Sequence, residues 1–174
     1  MISISIIVPI YNEEKTILKI LNQINDLKKD LKIEIIVVND GSIDSSKKII
    51  EKNKNLYQKS LHLEKNQGKG KAIIEGLKIA SYEYVFFQDA DLEYDPNDLK
   101  KFIKILKKQN ADLILGSRFI GEQRSVLNFW HSVGNKFITF LFNFLNNTTF
   151  TDIYCCYCLF KRDLINIEDL KCLG

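Results

Sequence analysis

Charge of one sign is scarce in this chain: 25 lysines and arginines stand against 22 aspartates and glutamates in 174 residues, a formal excess of +3. That balance excludes the basic stripe of a dedicated nucleic-acid binder, so no nucleic-acid partner is expected. No stretch reaches the roughly 20 unbroken apolar residues of a membrane-spanning helix, so any membrane contact is expected to be peripheral. Cysteine is sparse and crowded: Cys155, Cys156, Cys158 and Cys172 all fall in the last fifth of the chain, with nothing upstream to pair with. A disulfide framework is excluded on that ground. His62 and His131 are isolated, which leaves no separated ligand pairs for zinc, and the thiols read as buried side chains of a strand. The first nine residues carry no basic leader and too short an apolar run for a signal peptide, so they read as a strand and imply a reducing, cytoplasmic location.

What is present is ordinary for a globule: 45% hydrophobic and 27% charged residues, in a length suited to one core spanning residues 1–174. Residues 4–8 are β-branched and end at Pro9, after which Ile17, Ile20, Leu21, Ile24 and Leu27 recur at helical spacing. The pattern repeats. Apolar residues 33–38 precede a polar helix, residues 60–64 form a weaker strand, 71–80 a helix, and 84–88 a fourth strand. Asp95-Pro96 is a helix start, with Leu99, Phe102, Ile103 and Leu106 as the buried stripe. Residues 112–116 are a fifth strand, and 127–145 a long aromatic helix. Strands alternating with helices, and apolar without interruption, predict an α/β sandwich with a mostly parallel sheet covered on both faces.

Three polar clusters sit just after the first, second and fourth strands: Pro9-Ile10-Tyr11-Asn12-Glu13, Asn39-Asp40-Gly41-Ser42 and Asp89-Ala90-Asp91-Leu92-Glu93. In an open parallel sheet, strand ends of this kind converge on the ligand crevice. If Asp89 and Asp91 continue the fourth strand, their side chains leave the same face with Glu93 next in the row. A hard divalent cation, Mg2+ or Mn2+, relieves the repulsion within such a row and bridges to a diphosphate; a solvated acidic loop is the competing reading. Asp40 in its turn either accepts a bond from a ribose or base, or bonds to its own backbone. Asn66-Gln67-Gly68-Lys69-Gly70-Lys71 fails the phosphate-loop pattern, since Ala72 stands where a hydroxyl is required, yet it still offers backbone N–H groups and charge to an anion.

These clusters, with Gly116-Ser117-Arg118-Phe119 downstream, resemble the family-2 glycosyltransferases of GT-A fold, a Rossmann-like sandwich. The resemblance is closest to the branch of dolichyl-phosphate mannose synthase and related polyprenyl-phosphate sugar transferases. It implies that Pro9, Tyr11, Glu13, Val38 and Asp40 line a nucleotide pocket, with Lys71 and Arg118 on the diphosphate side. Asp89 and Asp91 match the family's metal pair, Ala90 lies against the nucleotide, and Glu93 stands where a further metal-associated group is often found. The implied reaction is an inverting single displacement on a GDP- or UDP-linked sugar. A divalent cation held by Asp91 and its partner Asp89, with Arg118 nearby, then stabilises the charge on the departing diphosphate. A lipid-phosphate acceptor needs no strong base, whereas a hydroxyl acceptor requires one, for which Asp152 is the candidate.

The helix at 127–145 bears on the acceptor. Its aromatic stripe, which includes Trp130, Phe137 and Phe144, either packs on the sheet or makes a peripheral contact at the cytoplasmic face of a membrane. Family members usually continue beyond the strand that ends near Lys161, so the chain is expected to lack the family's usual C-terminal segment. A non-catalytic or split nucleotide-sugar-binding module is the alternative function. A haloacid-dehalogenase-like phosphatase also begins from an Asp-x-Asp pair, but after its first strand and not its fourth.

Overall fold

The structure is a computed structural model that describes residues 2–117, 129–153, 155 and 157–170. Arg118, Cys156, Cys172 and the expected helix start at 127–128 lie outside the described residues. In chain order the elements are β1 (Ser3–Ile10), α1 (Ile17–Leu27), β2 (Lys32–Asp40), α2 (Ser46–Lys52), β3 (Lys59–Leu63), α3 (Lys69–Ile79), β4 (Tyr84–Phe87), α4 (Leu99–Gln109), β5 (Leu113–Leu115), α5 (Phe129–Asn146) and β6 (Cys158–Lys161). The strands are ordered β3-β2-β1-β4-β6-β5. Parallel pairing joins β3, β2, β1 and β4, and β6 runs antiparallel to β4. The direction of chain travel reverses across the β1/β4 boundary, which is where an open α/β sheet leaves a crevice beyond its strand ends.

Two compact units divide the chain. The first comprises Met1–Ile114 with Leu159–Gly174, and the second is Leu115–Cys158. The core of the first unit is mostly isoleucine and valine. In β1 every residue from Ile4 to Ile10 is buried, and in β2 every residue from Ile33 to Asp40. Strands covered on both faces have no solvent side to mark with polar residues, so they lose alternation. Helices α1 and α4 bury the residues that their spacing selects: Ile17, Ile20, Leu21, Ile24 and Leu27 in one, Leu99, Phe102, Ile103 and Leu106 in the other. Asp95 accepts the Asn97 N–H at 2.9 Å and Pro96 opens a 3-10 turn that runs into α4, which closes at Asn110 in the left-handed region (φ 49°).

Helices cover both faces. Phe86 of β4 meets Phe102 of α4 edge-on, with ring centroids 5.4 Å apart. The next residue along the pleat points the other way, and so does Ile7, the β1 partner of Phe87. Beneath that opposite face α3 lies so close that a Cβ on Gly76 would stand 2.6 Å from Ile7 Cγ2. A buried polar cluster closes the amino-terminal end of the sheet. Glu34 Oε1 accepts from Ser5 Oγ (2.6 Å) and the Ser81 N–H (2.8 Å), while Oε2 accepts from the Ser81 hydroxyl (2.8 Å) and lies 2.6 Å from Lys59 Nζ.

In the second unit α5 has its amphipathicity reversed. Asn135, Thr139 and Asn143, one turn apart, form the side that bonds to the rest of the unit: Asn135 Nδ2 donates to Asp152 (3.0 Å), Thr139 Oγ1 accepts from the Ile153 N–H (3.4 Å), and Asn143 Nδ2 donates to the Phe150 carbonyl (2.7 Å). The apolar stripe faces outward, with Trp130 77%, Phe137 64% and Phe144 75% exposed. Among the described residues, no helix is long and apolar enough to cross a membrane.

Candidate nucleotide-sugar site

The loops after β1 and β2 are bonded to each other. Asn12, left-handed at φ 57°, donates its N–H to Ser42 Oγ (3.0 Å) and accepts from the Ile43 N–H through Oδ1 (3.0 Å). Glu13 N–H donates to Ser46 Oγ (2.8 Å), Glu14 N–H to Asp44 (3.1 Å), and Ser45 N–H back to Glu14 (2.9 Å). Burial alone would raise the Asp44 carboxyl, but the bonds from Ser46 and Glu14 outweigh it and hold it below its ordinary range. The N–H groups of Asn12, Glu13, Glu14, Ile43 and Ser45 thereby find side-chain acceptors within the protein.

A third segment is tied to the second. Asp40 Oδ1 accepts the Gln67 N–H at 2.8 Å, and beside it Gly41 (φ 64°) passes so close to the chain that a Cβ there would lie 2.4 Å from the Lys65 carbonyl carbon. Only glycine fits that crossing. Asn66 then accepts the Gly68 N–H at 2.9 Å, Gly68 turns at φ 89°, and α3 begins at Lys69.

The fourth segment departs from expectation. The strand ends at Phe87, and Asp89 and Asp91 are not its continuation. Gln88, fully buried, donates from Nε2 to the carbonyls of Asp89 (3.2 Å) and Tyr94 (3.0 Å), folding the intervening residues into a loop. Within the loop Asp91 accepts the Glu93 N–H at 3.0 Å and Leu92 turns at φ 67°.

Together these segments enclose a cavity of about 250 Å³ lined by Pro9, Ile10, Tyr11, Glu13, Asp40, Asn66, Lys69, Ala72, Asp89, Ala90 and Asp91. Seven of the expected site residues therefore meet: Pro9, Tyr11, Glu13, Asp40, Asp89, Ala90 and Asp91. Two expected residues stand outside this lining. Val38 is fully buried and lies under α3, its Cγ2 3.3 Å from where a Gly76 Cβ would stand, because the pleat turns it into the core. Lys71 sits on another side of α3, 2.7 Å from Glu75, and lines a different cavity. Lys71 and Lys78 hold the Glu75 carboxyl below its ordinary value. The lysine that reaches the site is Lys69, 2.6 Å from Asp89 Oδ1. Sequence reasoning missed it although it stands in the same motif: two residues along a helix rotate a side chain by about 200°, so the helix start decides which lysine faces inward.

Glu93 does not line the cavity, and among the described residues no trio of His, Cys, Asp or Glu is arranged to hold a metal ion. The expected set Asp89, Asp91 and Glu93 is thus not assembled as three. Asp89 and Asp91 remain on one wall, and two carboxylates completed by water and phosphate oxygens are the donor set that Mg2+ or Mn2+ takes. Asp152 belongs to the second unit, where it is buried and bonded to Asn135.

Residues 5–167 match the model of glycosyl transferase family 2. The chain belongs to that family. It is 34% identical over 175 residues to an uncharacterized protein of Methanocaldococcus jannaschii, covering 95% of this chain and 73% of that protein. A poly-beta-1,6-N-acetyl-D-glucosamine synthase of Staphylococcus epidermidis is 39% identical over 126 residues, covering 71% of this chain and 30% of the synthase. A dolichol-phosphate mannosyltransferase of Pyrococcus furiosus is 32% identical over 118 residues, covering 67% and 33%. The chain thus spans about a third of the length of these two relatives. Among solved structures, S. aureus TarS 1-349 in complex with UDP-GlcNAc superposes with TM-score 0.58 at 32% identity, covering 73% of this chain and 37% of that one. The mannosyltransferase PcManGT of Pyrobaculum calidifontis, in complex with GDP-Man and Mn2+, gives TM-score 0.55 at 26% identity over 66% of this chain and 35% of the other. These neighbours confirm the α/β, GT-A-type Rossmann-like fold. They do not single out the polyprenyl-phosphate branch, since the synthase and TarS stand beside the mannosyltransferases.

Proposed function

We propose that this family 2 chain binds a nucleotide-diphosphate sugar in the cavity and transfers the sugar, with inversion, to a lipid phosphate. The observation that carries the reading is the convergence of Asp40 and Asp89/Asp91 on one cavity at the carboxyl ends of the strands. The wall formed by Pro9, Tyr11 and Asp40 takes the nucleoside: Tyr11, 44% exposed, offers a ring face, and Asp40 keeps one carboxylate oxygen beyond the one bonded to Gln67. Asp89 and Asp91 would hold a divalent cation, whose chemistry is to neutralise the departing diphosphate. Arg118 is assigned to the same charge. A phosphate acceptor arrives as an anion, so Asp152 is given no proton to move.

The acceptor class rests on α5. Its exposed residues include Trp130, Phe137 and Phe144, and residues 129–146 contain one lysine and no carboxylate. An exposed aromatic face with a cation suits the headgroup boundary of an anionic leaflet, at the cytoplasmic side in this reading. Calorimetric titration with GDP- and UDP-linked sugars, with and without Mn2+, followed by a product assay on polyprenyl phosphate, tests the proposal. Metal-dependent binding with turnover is expected, and Asp91→Ala should abolish that binding. Binding without turnover favours the non-catalytic module. No binding at all overturns both.

A further inference from the structure

Among the described residues, the cavity carries Glu13, Asp40, Asp89 and Asp91 against one lining ammonium, that of Lys69. Its Nζ lies 2.6 Å from Asp89 Oδ1, a charge-assisted contact in which the side chains are 42% and 18% exposed respectively. The more buried partner is the carboxylate, held on a loop that Gln88 folds back on itself. The ammonium rides on a four-carbon stem at the first residue of α3. Gly68 before it has open space where a side chain would be, while the helix beyond is fixed against Ile7 at Gly76. Any rearrangement at this contact therefore belongs to the Lys69 side chain and leaves the helix in place.

Resting on the glycosyltransferase reading above, we propose that Lys69 is a built-in counter-cation. In the donor-free protein it occupies Asp89 and relieves the repulsion between Asp89 and Asp91. When the donor arrives it gives up that carboxylate and turns to the diphosphate. A divalent cation alone must compete with Lys69 for Asp89, and an anionic donor alone meets an acidic cavity. Each removes the obstacle to the other, since the donor supplies the ammonium with a new partner and the cation supplies Asp89 with one. The two ligands are coupled through one side chain, and linkage requires the coupling to be equal in both directions.

Titration of the full chain with Mn2+ alone, followed by electron paramagnetic resonance, tests this, repeated in the presence of GDP and of UDP. Lys69→Met should bind Mn2+ about tenfold more tightly than the parent when no nucleotide is present, as expected for removal of a charge-assisted competitor. The gain in Mn2+ affinity that nucleotide brings should shrink in the same variant. Lys69→Arg should behave as the parent, and Lys78→Met, which removes a partner of Glu75 at the other cavity, should change nothing. Lys69→Met binding Mn2+ no better than the parent, with Asp89→Ala still losing the ion, overturns the counter-cation and leaves the site reading standing. Mn2+ and nucleotide affinities untouched by Asp89→Ala overturn both.

Discussion

Gln67 donates its backbone N–H to Oδ1 of Asp40 across 2.8 Å, so the aspartate at the end of β2 fixes the loop that leads into α3. Asp40 is therefore both a wall of the cavity and a tie between two of its segments. Asp40→Ala removes both roles, and nucleoside monophosphate affinity should fall about tenfold or more with a stability loss of about 1–2 kcal/mol. Asp40→Asn keeps an acceptor oxygen for Gln67, so it should restore most of the stability and little of the affinity. Calorimetric affinity and the thermal midpoint, measured on both variants, separate the roles; equal affinity in all three proteins removes Asp40 from the nucleoside wall.

Gly76 and Ile7 should be energetically coupled. A methyl group at position 76 would stand 2.6 Å from Ile7 Cγ2 in a site with no free volume. Alanine is the better helix former by about 1 kcal/mol, yet Gly76→Ala is expected to destabilise by about 1–3 kcal/mol because overpacking outweighs propensity. Combined with Ile7→Ala, which vacates that space, the loss should be less than the sum of the two single losses. Additive losses in urea unfolding would contradict the packing described here.

The Glu34 cluster makes stability depend on pH in the acid range. Burial raises the Glu34 carboxyl, but bonds from Lys59, Ser5 and Ser81 outweigh it, and the folded value lies below the ordinary 4.5. A carboxyl depressed by folding contributes stability that is complete above its unfolded value and is lost as pH falls through the folded one. Glu34→Gln should therefore lower stability at pH 7 by about 2 kcal/mol and flatten the fall in unfolding free energy below pH 4.5. An unchanged acid limb in denaturant melts would show that Glu34 is not its source.

The reversal in α5 inverts the usual ranking of mutations. Phe137→Ser and Phe144→Ser remove exposed rings and should leave stability within about 0.5 kcal/mol. Asn135→Ala removes a donor from buried Asp152 and should cost about 1–3 kcal/mol. Flotation with vesicles containing anionic lipid should give the opposite order, with the phenylalanine variants losing binding and Asn135→Ala keeping it.

Much of this architecture is written in the chain. Strands β1, β2 and β4 appear as unbroken apolar runs because both of their faces are covered, and α1 and α4 as single stripes because one side of each is. The polar segments at the strand ends name most of the cavity wall because an open parallel sheet leaves its crevice beyond those ends. What the sequence conceals is rotational. Whether Lys69 or Lys71 faces inward depends on where α3 begins, which Gly68 sets through its positive φ. The path of Asp89 and Asp91 depends on Gln88, whose amide bends the chain where periodicity would extend it. In α5 the apolar stripe is plain, but a stripe does not say whether the protein or something outside it will cover that side.

The bonds that stitch the loops after β1 and β2 have a kinetic consequence. One end of the cavity is assembled in advance, with its N–H groups already answered by Ser42, Ser46, Asp44 and Glu14, and a planar base arriving there would demand little reordering. The other end is latched by Lys69 on Asp89. On the function proposed above, a ligand that spans both ends meets a ready berth at one and a guarded one at the other, so exchange at the Lys69 contact, and not the seating of the base, should limit how fast the site fills.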